Sequence, residues 1–176
     1  MRAGTMQLKI TLLDVEPLVW RRVVVPTTIA LDELHTVVQM AMGWLDYHLH
    51  LFEIDGVVYA DDADEMEFEV VGDEADTILA EVVGPGSRFR YEYDFSDGWQ
   101  HQVEVEQVSL GLTPTRCVDG ERACPPEDCG GPPGYARLLR ALADLARGEC
   151  IELIDRYGDF DPDDFDADAV TEQLAQ

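Results

Sequence analysis

The sequence has very little positive charge. Its 176 residues include 12 Lys and Arg against 37 Asp and Glu, which gives a formal net charge of -25 at pH 7, and Lys9 is the one lysine. Nucleic acids and anionic membranes attract proteins chiefly through Lys and Arg. We therefore expect no direct binding to either, whereas a protein partner, still unknown, remains open.

The sequence also lacks long apolar runs. No stretch approaches the ~18 apolar residues of a membrane-spanning helix, and the first residues do not form a secretory leader. This pattern predicts a cytoplasmic protein. In a reducing compartment, cysteines are expected as thiols or metal ligands rather than disulfides; the four are Cys117, Cys124, Cys129 and Cys150.

Familiar catalytic and calcium-binding signatures are missing. We find no phosphate-binding loop, dinucleotide fingerprint, Gly-x-Ser-x-Gly elbow or His-Glu-x-x-His pair. The acidic run 159–168 resembles a calcium loop, but Asp164 stands where that loop needs glycine and Val170 where it needs glutamate. Three interpretations of the acidity stay open: a solvated surface, a mimic of nucleic acid, and cation binding by the runs 61–69 and 159–168.

What is present predicts a folded α+β domain. The composition is 46% hydrophobic and 9% aromatic, and the length fits one domain over residues 1–176. Period-two alternation predicts strands, helical spacing from Leu31 predicts a helix ending at Gly43, and further helices are expected over 135–147 and from about Asp166. The predicted strands are 6–15, 19–26, 48–54, 57–60, 88–95 and 101–108. Short turns between consecutive strands favour a mainly antiparallel sheet with helices packed on it.

Several blocks carry a resemblance to a known family. They are "WRRVVVP", "LHTVVQMAMGW", "HLHLFEI", "YEYDFSDGWQHQVEVE", "CVDGERACPPEDCGGPPGY" and "GDFDPDDFD". In this order, from about residue 7 to residue 174, they resemble the plasmid pRiA4b ORF-3-like family. The resemblance implies a compact α+β domain and a link to mobile DNA, since some members are labelled TnpR. It implies no reaction, and a serine resolvase would need a basic DNA-binding arm that this acidic chain lacks.

The segment 117–135 and two histidines suggest a metal site. Thiolates and imidazoles are the ligands of structural zinc, although the spacing here is not that of a compact zinc knuckle. The candidate ligands are His50, His101, Cys117, Cys124 and Cys129. The alternative is a loop ordered by its prolines and glycines, with the cysteines packed as small apolar residues. Cys150 is expected in the core, and His35 on a helix surface or in the core rather than at a ligand position.

A second group of residues is a candidate pocket around "EYDFSDGW" and the carboxylates of the 117–135 segment. Its members are His48, Asp94, Asp97, Trp99, Glu127 and Asp128. Asp97 and Gly98 are also typical of a hairpin turn, with Asp94 capping it. His48 and His50, two residues apart, would share one face of a strand.

These patterns lead to one functional hypothesis and two rivals. The first is a non-enzymatic binding or scaffold domain, with zinc as the one cofactor considered. The second is a metal-dependent hydrolase using His50, Asp97 and His101. The third is an acidic DNA mimic that binds a basic protein.

Overall fold

The computed structural model describes residues 4–60, 72–143 and 151–175. The strands in these ranges are β1 (Gly4–Leu12), β2 (Trp20–Pro26), β3 (His50–Ile54), β4 (Val57–Tyr59), β5 (Arg88–Tyr93), β6 (Trp99–Leu110) and β7 (Arg116–Glu121). The helices are α1 (Leu31–Met42), α2 (Leu79–Val82), α3 (Gly131–Ala143), α4 (Ile151–Tyr157) and α5 (Ala167–Leu174).

The described strands form one sheet in the order β4-β3-β5-β6-β1-β2-β7. Every neighbouring pair is antiparallel. Along β5, Phe89, Tyr91 and Tyr93 are buried while the residues between them are more exposed, because alternate side chains of a strand point to opposite faces. The predicted α+β fold with a mainly antiparallel sheet is confirmed.

Helix α1 lies on the buried face of the sheet. Leu31, Leu34 and Val38 are fully buried, as their helical spacing predicts. The Glu33 carboxylate accepts a hydrogen bond from the Ala30 backbone N–H at 3.1 Å, which satisfies one of the free donors at the start of the helix. Gly43 ends the helix with a φ of 83°, a conformation that glycine adopts without steric cost.

The cysteine-bearing segment is more regular than its sequence indicates. Its first residues form β7, which pairs with β2 at the edge of the sheet, with Cys117 opposite Val23. The helix expected to start at Tyr135 begins at Gly131. Pro132 and Pro133 fall in its first turn, where a missing backbone N–H removes no helical hydrogen bond. The irregular part is residues 122–130, called the 122–130 loop below.

One further expectation differs from the structure. β3 begins at His50, so His48 lies in the preceding loop and does not share a strand face with it. The final helix expected from about Asp166 is present: it begins at Ala167, and the Asp166 carboxylate accepts hydrogen bonds from the N–H groups of Asp168 and Ala169. Within the described ranges, no helix is long and apolar enough to cross a bilayer. The acidic run 61–69 and Cys150 lie outside the described residues.

Candidate functional site

Three loops meet at one end of the sheet. They are residues 43–49 between α1 and β3, residues 94–98 between β5 and β6, and the 122–130 loop. The Trp44 indole N–H donates a 2.9 Å hydrogen bond to the Pro125 carbonyl. The Gly130 N–H donates a 3.1 Å hydrogen bond to Asp97 Oδ2. Asp97 therefore holds the 122–130 loop in place through one of its two carboxylate oxygens.

Glycine at position 131 lets the loops approach this closely. A Cβ atom on Gly131 would lie 2.3 Å from the Asp97 carbonyl oxygen. The residue also has a φ of 64°, in the left-handed region that side chains disfavour. The start of α3 can therefore pack directly against the 94–98 turn only because no side chain intervenes.

Asp94 uses one carboxylate oxygen to organise its turn and leaves the other free. Oδ1 accepts hydrogen bonds from the Ser96 N–H at 3.0 Å, the Ser96 hydroxyl and the Asp97 N–H at 3.3 Å. Oδ2 is buried and has no hydrogen-bond partner among the described residues. The side chain is only 3% exposed. A buried carboxylate oxygen without a donor costs about 1–3 kcal/mol and calls for an explanation.

Glu127, in the 122–130 loop, repeats this asymmetry. Oε1 accepts hydrogen bonds from the Leu45 N–H at 2.8 Å and the Tyr93 hydroxyl at 3.2 Å. Oε2 is buried and has no hydrogen-bond partner in the described part of the chain. Two different loops thus each present one saturated and one unused carboxylate oxygen.

Both unused oxygens face the same imidazole nitrogen, Nε2 of His48. This atom lies 3.7 Å from Asp94 Oδ2, 4.0 Å from Glu127 Oε2 and 3.4 Å from Asp128 Oδ1. These separations exceed the usual length of a hydrogen bond. Two atoms bound ~2.1 Å from one ion at a tetrahedral angle lie ~3.4 Å apart. Ligand atoms of His48, Asp94 and Asp128 lie within 4.8 Å of one another, a spacing that suits ligands around a common cation, and Glu127 Oε2 lies beside this trio. We call these four residues the His48 cluster.

A second histidine cluster is formed by His35, His50 and two carboxylates, Asp46 and Glu74. The rings of His35 and His50 stack with centroids 3.4 Å apart and an interplanar angle of 9°. His35 Nε2 is 2.9 Å from Asp46 Oδ1, and His50 Nε2 is 3.0 Å from Glu74 Oε2. Burial is the main factor that lowers the pKa of His35, followed by the neighbouring His50, while Asp46 opposes the shift. We call these four residues the His35–His50 cluster.

A polar cleft of about 450 Å³ lies against His48 and the His35–His50 cluster. Its walls include His35, His48, His50 and the carboxylates of Asp46 and Glu74. Three imidazoles thus open onto one cleft lined by carboxylates. Such a site can hold cations or cationic groups.

Cys117, Cys124 and Cys129 do not line this cleft. Two groups in the described residues bring at least three possible ligand atoms within 4.8 Å of each other, and neither contains a cysteine. Cys117, Cys124 and Cys129 are all buried in the hydrophobic core. Burial raises the pKa of all three thiols, that of Cys129 to about 12, which opposes formation of the thiolate that binds zinc. The structure does not bring the predicted cysteine and histidine ligands together.

His101 and Trp99 are also core residues. His101 is fully buried, with its ring against Trp44 at a centroid distance of 5.3 Å, and burial lowers its pKa to about 4. Trp99 is fully buried against Trp44 as well. The expected trio of His50, Asp97 and His101 is not among the groups that the described residues assemble. The pocket residues His48, Asp94, Glu127 and Asp128 do converge.

The sequence patterns do not identify three members of the His35–His50 cluster. They favour a helix surface or the core for His35, and they carry no signal for Asp46 or Glu74. The signal for His35 is its place next to Leu34 on the apolar stripe of α1, where the structure leaves it only 5% exposed. Asp46 and Glu74 stand in loops, where no periodicity marks them.

The fold and the site define an α+β domain with an acidic cleft that contains histidines. The chain belongs to the plasmid pRiA4b ORF-3-like protein family, whose model matches residues 4–169. It is 39% identical over 166 residues to the uncharacterized protein y4hQ of Sinorhizobium fredii. The alignment covers 93% of this chain and 86% of that protein. The crystal structure of MM3350, a protein of unknown function from Methanosarcina mazei Go1, is also similar. It has a TM-score of 0.85 and 32% identity, and the match covers 96% of this chain and 98% of that one.

Proposed function

We propose that this domain binds a divalent metal ion at the His48 cluster and acts as a metal-stabilised binding domain. The supporting observation is the pair of buried, unused oxygens of Asp94 and Glu127 that face His48 Nε2. An ion there would supply the missing partner for both oxygens. Its two positive charges would also offset two of the three formal negative charges of the carboxylates.

The ligand types favour a first-row transition metal. Imidazole suits zinc, iron, copper and nickel, whereas carboxylates also suit manganese and magnesium. One nitrogen and three oxygens point to Zn²⁺ or Mn²⁺ as the first ions to test. This ligand set replaces the cysteine-based zinc site expected from the sequence.

The ion would have a structural effect because its ligands come from all three loops. His48 belongs to the 43–49 loop, Asp94 to the 94–98 turn, and Glu127 and Asp128 to the 122–130 loop. One bound ion would close these loops against each other. Free energy of metal binding would then add to the stability of this end of the sheet.

The test is isothermal titration of untagged, metal-free protein with Zn²⁺ and Mn²⁺, combined with thermal unfolding. Asp94→Asn should weaken binding by about 100-fold and abolish the metal-dependent rise in Tm. Asp164→Asn removes the same charge from an exposed acidic residue and should change neither quantity. Equal affinity in Asp94→Asn and the unchanged chain would refute the proposed site.

A hydrolase is the second candidate function, because one ligand of the proposed ion site, His48, lines the cleft. The Asp128 side chain is 57% exposed, so solvent reaches a second ligand. Catalytic zinc sites likewise keep one position open for water. Metal-dependent turnover of a nucleotide or ester, lost in His48→Ala with retained fold, would support this candidate. No turnover across such a panel would count against it.

The DNA-mimic hypothesis stays a prediction from the net charge. A pull-down with the full chain tests it directly. Recovery of a basic DNA-binding protein, competed away by duplex DNA, is the expected result for a mimic. Failure to recover such a protein would count against it.

A further inference from the structure

The 43–49 loop exposes apolar side chains beside the cleft. Leu45 is 61% exposed, Tyr47 73% and Leu49 37%, and Leu49 also lines the cleft. Single exposed apolar residues are ordinary, whereas several together on a folded domain mark an interaction site. We call Leu45, Tyr47 and Leu49 the Tyr47 surface.

The backbone that carries this surface is held in place. The Leu45 N–H donates a 2.8 Å hydrogen bond to Glu127 Oε1, and the Tyr47 N–H donates a 3.0 Å hydrogen bond to the Tyr93 hydroxyl. These contacts fix the backbone of the loop, while the side chains of Leu45 and Tyr47 remain in solvent. A surface on a fixed backbone loses little conformational entropy when a partner binds.

The cleft next to the Tyr47 surface is negatively charged. Its walls include the carboxylates of Asp32, Glu33, Asp46 and Glu74, and no lysine or arginine of the described residues lines it. Asp46 directly precedes Tyr47 in the chain, and its side chain is 56% exposed. A ligand that lies on the Tyr47 surface can therefore reach this carboxylate.

The imidazole next to Asp46 does not cancel this charge. Gln39 Nε2 donates a 2.9 Å hydrogen bond to the Tyr91 hydroxyl, which lies 2.8 Å from His35 Nδ1. The hydroxyl proton can bond to Nδ1, while the Nε2–H of His35 donates a 2.9 Å hydrogen bond to Asp46 Oδ1. This arrangement is that of a neutral ring, and burial, the main factor that lowers the pKa of His35, favours it. The negative charge of Asp46 is therefore not offset by this ring.

We propose that the Tyr47 surface and the cleft form a docking site for a segment of a partner protein that combines a lysine or arginine with apolar side chains. The basic side chain would enter the cleft toward Asp46, and its apolar neighbours would pack on Leu45 and Tyr47. Charge complementarity selects this occupant over an acidic segment, and the net charge of -25 favours its approach. This docking site goes beyond the metal site of the His48 cluster and uses none of its four side chains.

The experiment selects a random-peptide display library on the full-length protein in the presence of a metal chelator. We expect enriched peptides in which a lysine or arginine stands beside leucine, phenylalanine or tryptophan. The affinity of a synthetic copy of the most enriched peptide is then measured by fluorescence anisotropy. Tyr47→Ser should weaken binding about tenfold, because aromatic anchors carry much of the binding energy of an interface. Asp46→Asn should weaken it about fivefold, and asparagine tolerates the positive φ of 58° at this position.

Two matched variants control for lost apolar area and for lost charge. Leu112→Ser removes a side chain that is 70% exposed beyond the far end of β6, roughly 35 Å along the strand from the 94–98 turn. Asp164→Asn removes one exposed charge from the acidic run 159–168. Neither control should change the affinity, and circular dichroism checks that every variant is folded.

Several results would overturn the docking site. No enriched peptide, or enriched peptides that lack either the basic or the apolar residues, would contradict the proposed occupant. Equal losses in Tyr47→Ser and Leu112→Ser would show that the peptide does not bind at the Tyr47 surface. Equal losses in Asp46→Asn and Asp164→Asn would show that it responds to net charge alone. Because the chelator removes any bound metal, none of these results depends on metal binding by the His48 cluster.

Discussion

The polar residues at this end of the molecule fall into two regions with opposite environments. The interior region contains Cys117, Cys124, Cys129 and His101, which pack among apolar side chains. The cleft region contains the His48 and His35–His50 clusters. Both regions draw on the 122–130 loop, which turns its cysteines inward and the carboxylates of Glu127 and Asp128 toward His48.

The difference shows that residue type alone does not make a ligand. A buried thiol with a raised pKa stays uncharged and therefore attracts a cation weakly. Its burial is already favourable, because the side chain packs as a small apolar group. The oxygens of Asp94 and Glu127 are buried with hydrogen-bonding capacity unused. The capacity for binding lies where polar atoms lack partners, which here is the cleft side.

The largest expected effect comes from a substitution that disturbs both regions together. A Cβ on Gly134 would lie 1.9 Å from the Cys129 carbonyl oxygen, so Gly134→Ala must displace the backbone that carries both the cysteine and the carboxylates. We expect a loss of about 3 kcal/mol or more in the free energy of unfolding, measured by urea denaturation. Gly84→Ala, with no atom within 4 Å of the added Cβ, is the matched control. Equal stability of the two variants would contradict this account of the loop.

The second expected effect concerns the interior region alone and is a change in how stability depends on pH. His101 has a folded-state pKa of about 4 against an ordinary value of 6.5, so the unfolded chain binds its proton more tightly. Stability from this residue is therefore present above pH ~6.5 and is lost as pH falls toward ~4, by about 3 kcal/mol in all. His101→Leu should remove this part of the decline, measured by urea denaturation between pH 4 and 7. Parallel pH profiles of the two proteins would show that His101 is not the cause.

The third effect separates packing from metal binding within the 122–130 loop. Cys124→Ser places a hydroxyl in a buried apolar site and should cost about 1–3 kcal/mol of stability. Zinc affinity, measured by titration calorimetry at a temperature where the variant is folded, should stay unchanged. A large loss of zinc affinity in this variant would restore the cysteine-based site.

The smallest expected effect is a difference in zinc affinity between two variants of the His48 cluster, one at an exposed ligand and one at a buried ligand. The side chain of Asp128 is 57% exposed and that of Asp94 is 3% exposed. Asp128→Asn should therefore weaken zinc binding by about tenfold, ~1.4 kcal/mol, and less than Asp94→Asn, because water can replace an exposed ligand. A larger effect at Asp128 than at Asp94 would reverse this ranking.

Local patterns predicted most of the sheet, helix α1 and the approximate positions of α3 and α5. Alternation identified β1, β2, β5 and β6, and helical spacing identified α1, because one face of each element is buried. The same reasoning missed β7, whose edge position leaves Val118 and Asp119 exposed and removes the alternation signal. It also placed the start of α3 four residues late, since its first turn is built from Gly131, Pro132 and Pro133.

The candidate site was predicted only in part. Residues that form turns can be identified from the local sequence, whereas the approach of residues from distant segments cannot. Asp94 and Asp97 were identified from their turn, and Glu127 and Asp128 from their loop. His35 and Glu74 approach His50 only through the packing of α1 and the loop before α2 against the sheet.

By itself, the sequence determined the α+β class, the family and the acidic character of the chain, since these depend on composition, periodicity and local motifs. Only the tertiary structure decided which polar residues meet. Packing buried Cys117, Cys124, Cys129 and His101. The meeting of three loops left one carboxylate oxygen each of Asp94 and Glu127 near His48 without a hydrogen-bond partner among the described residues. Partners distant in the chain are selected by the geometry of the whole fold, which no local pattern encodes.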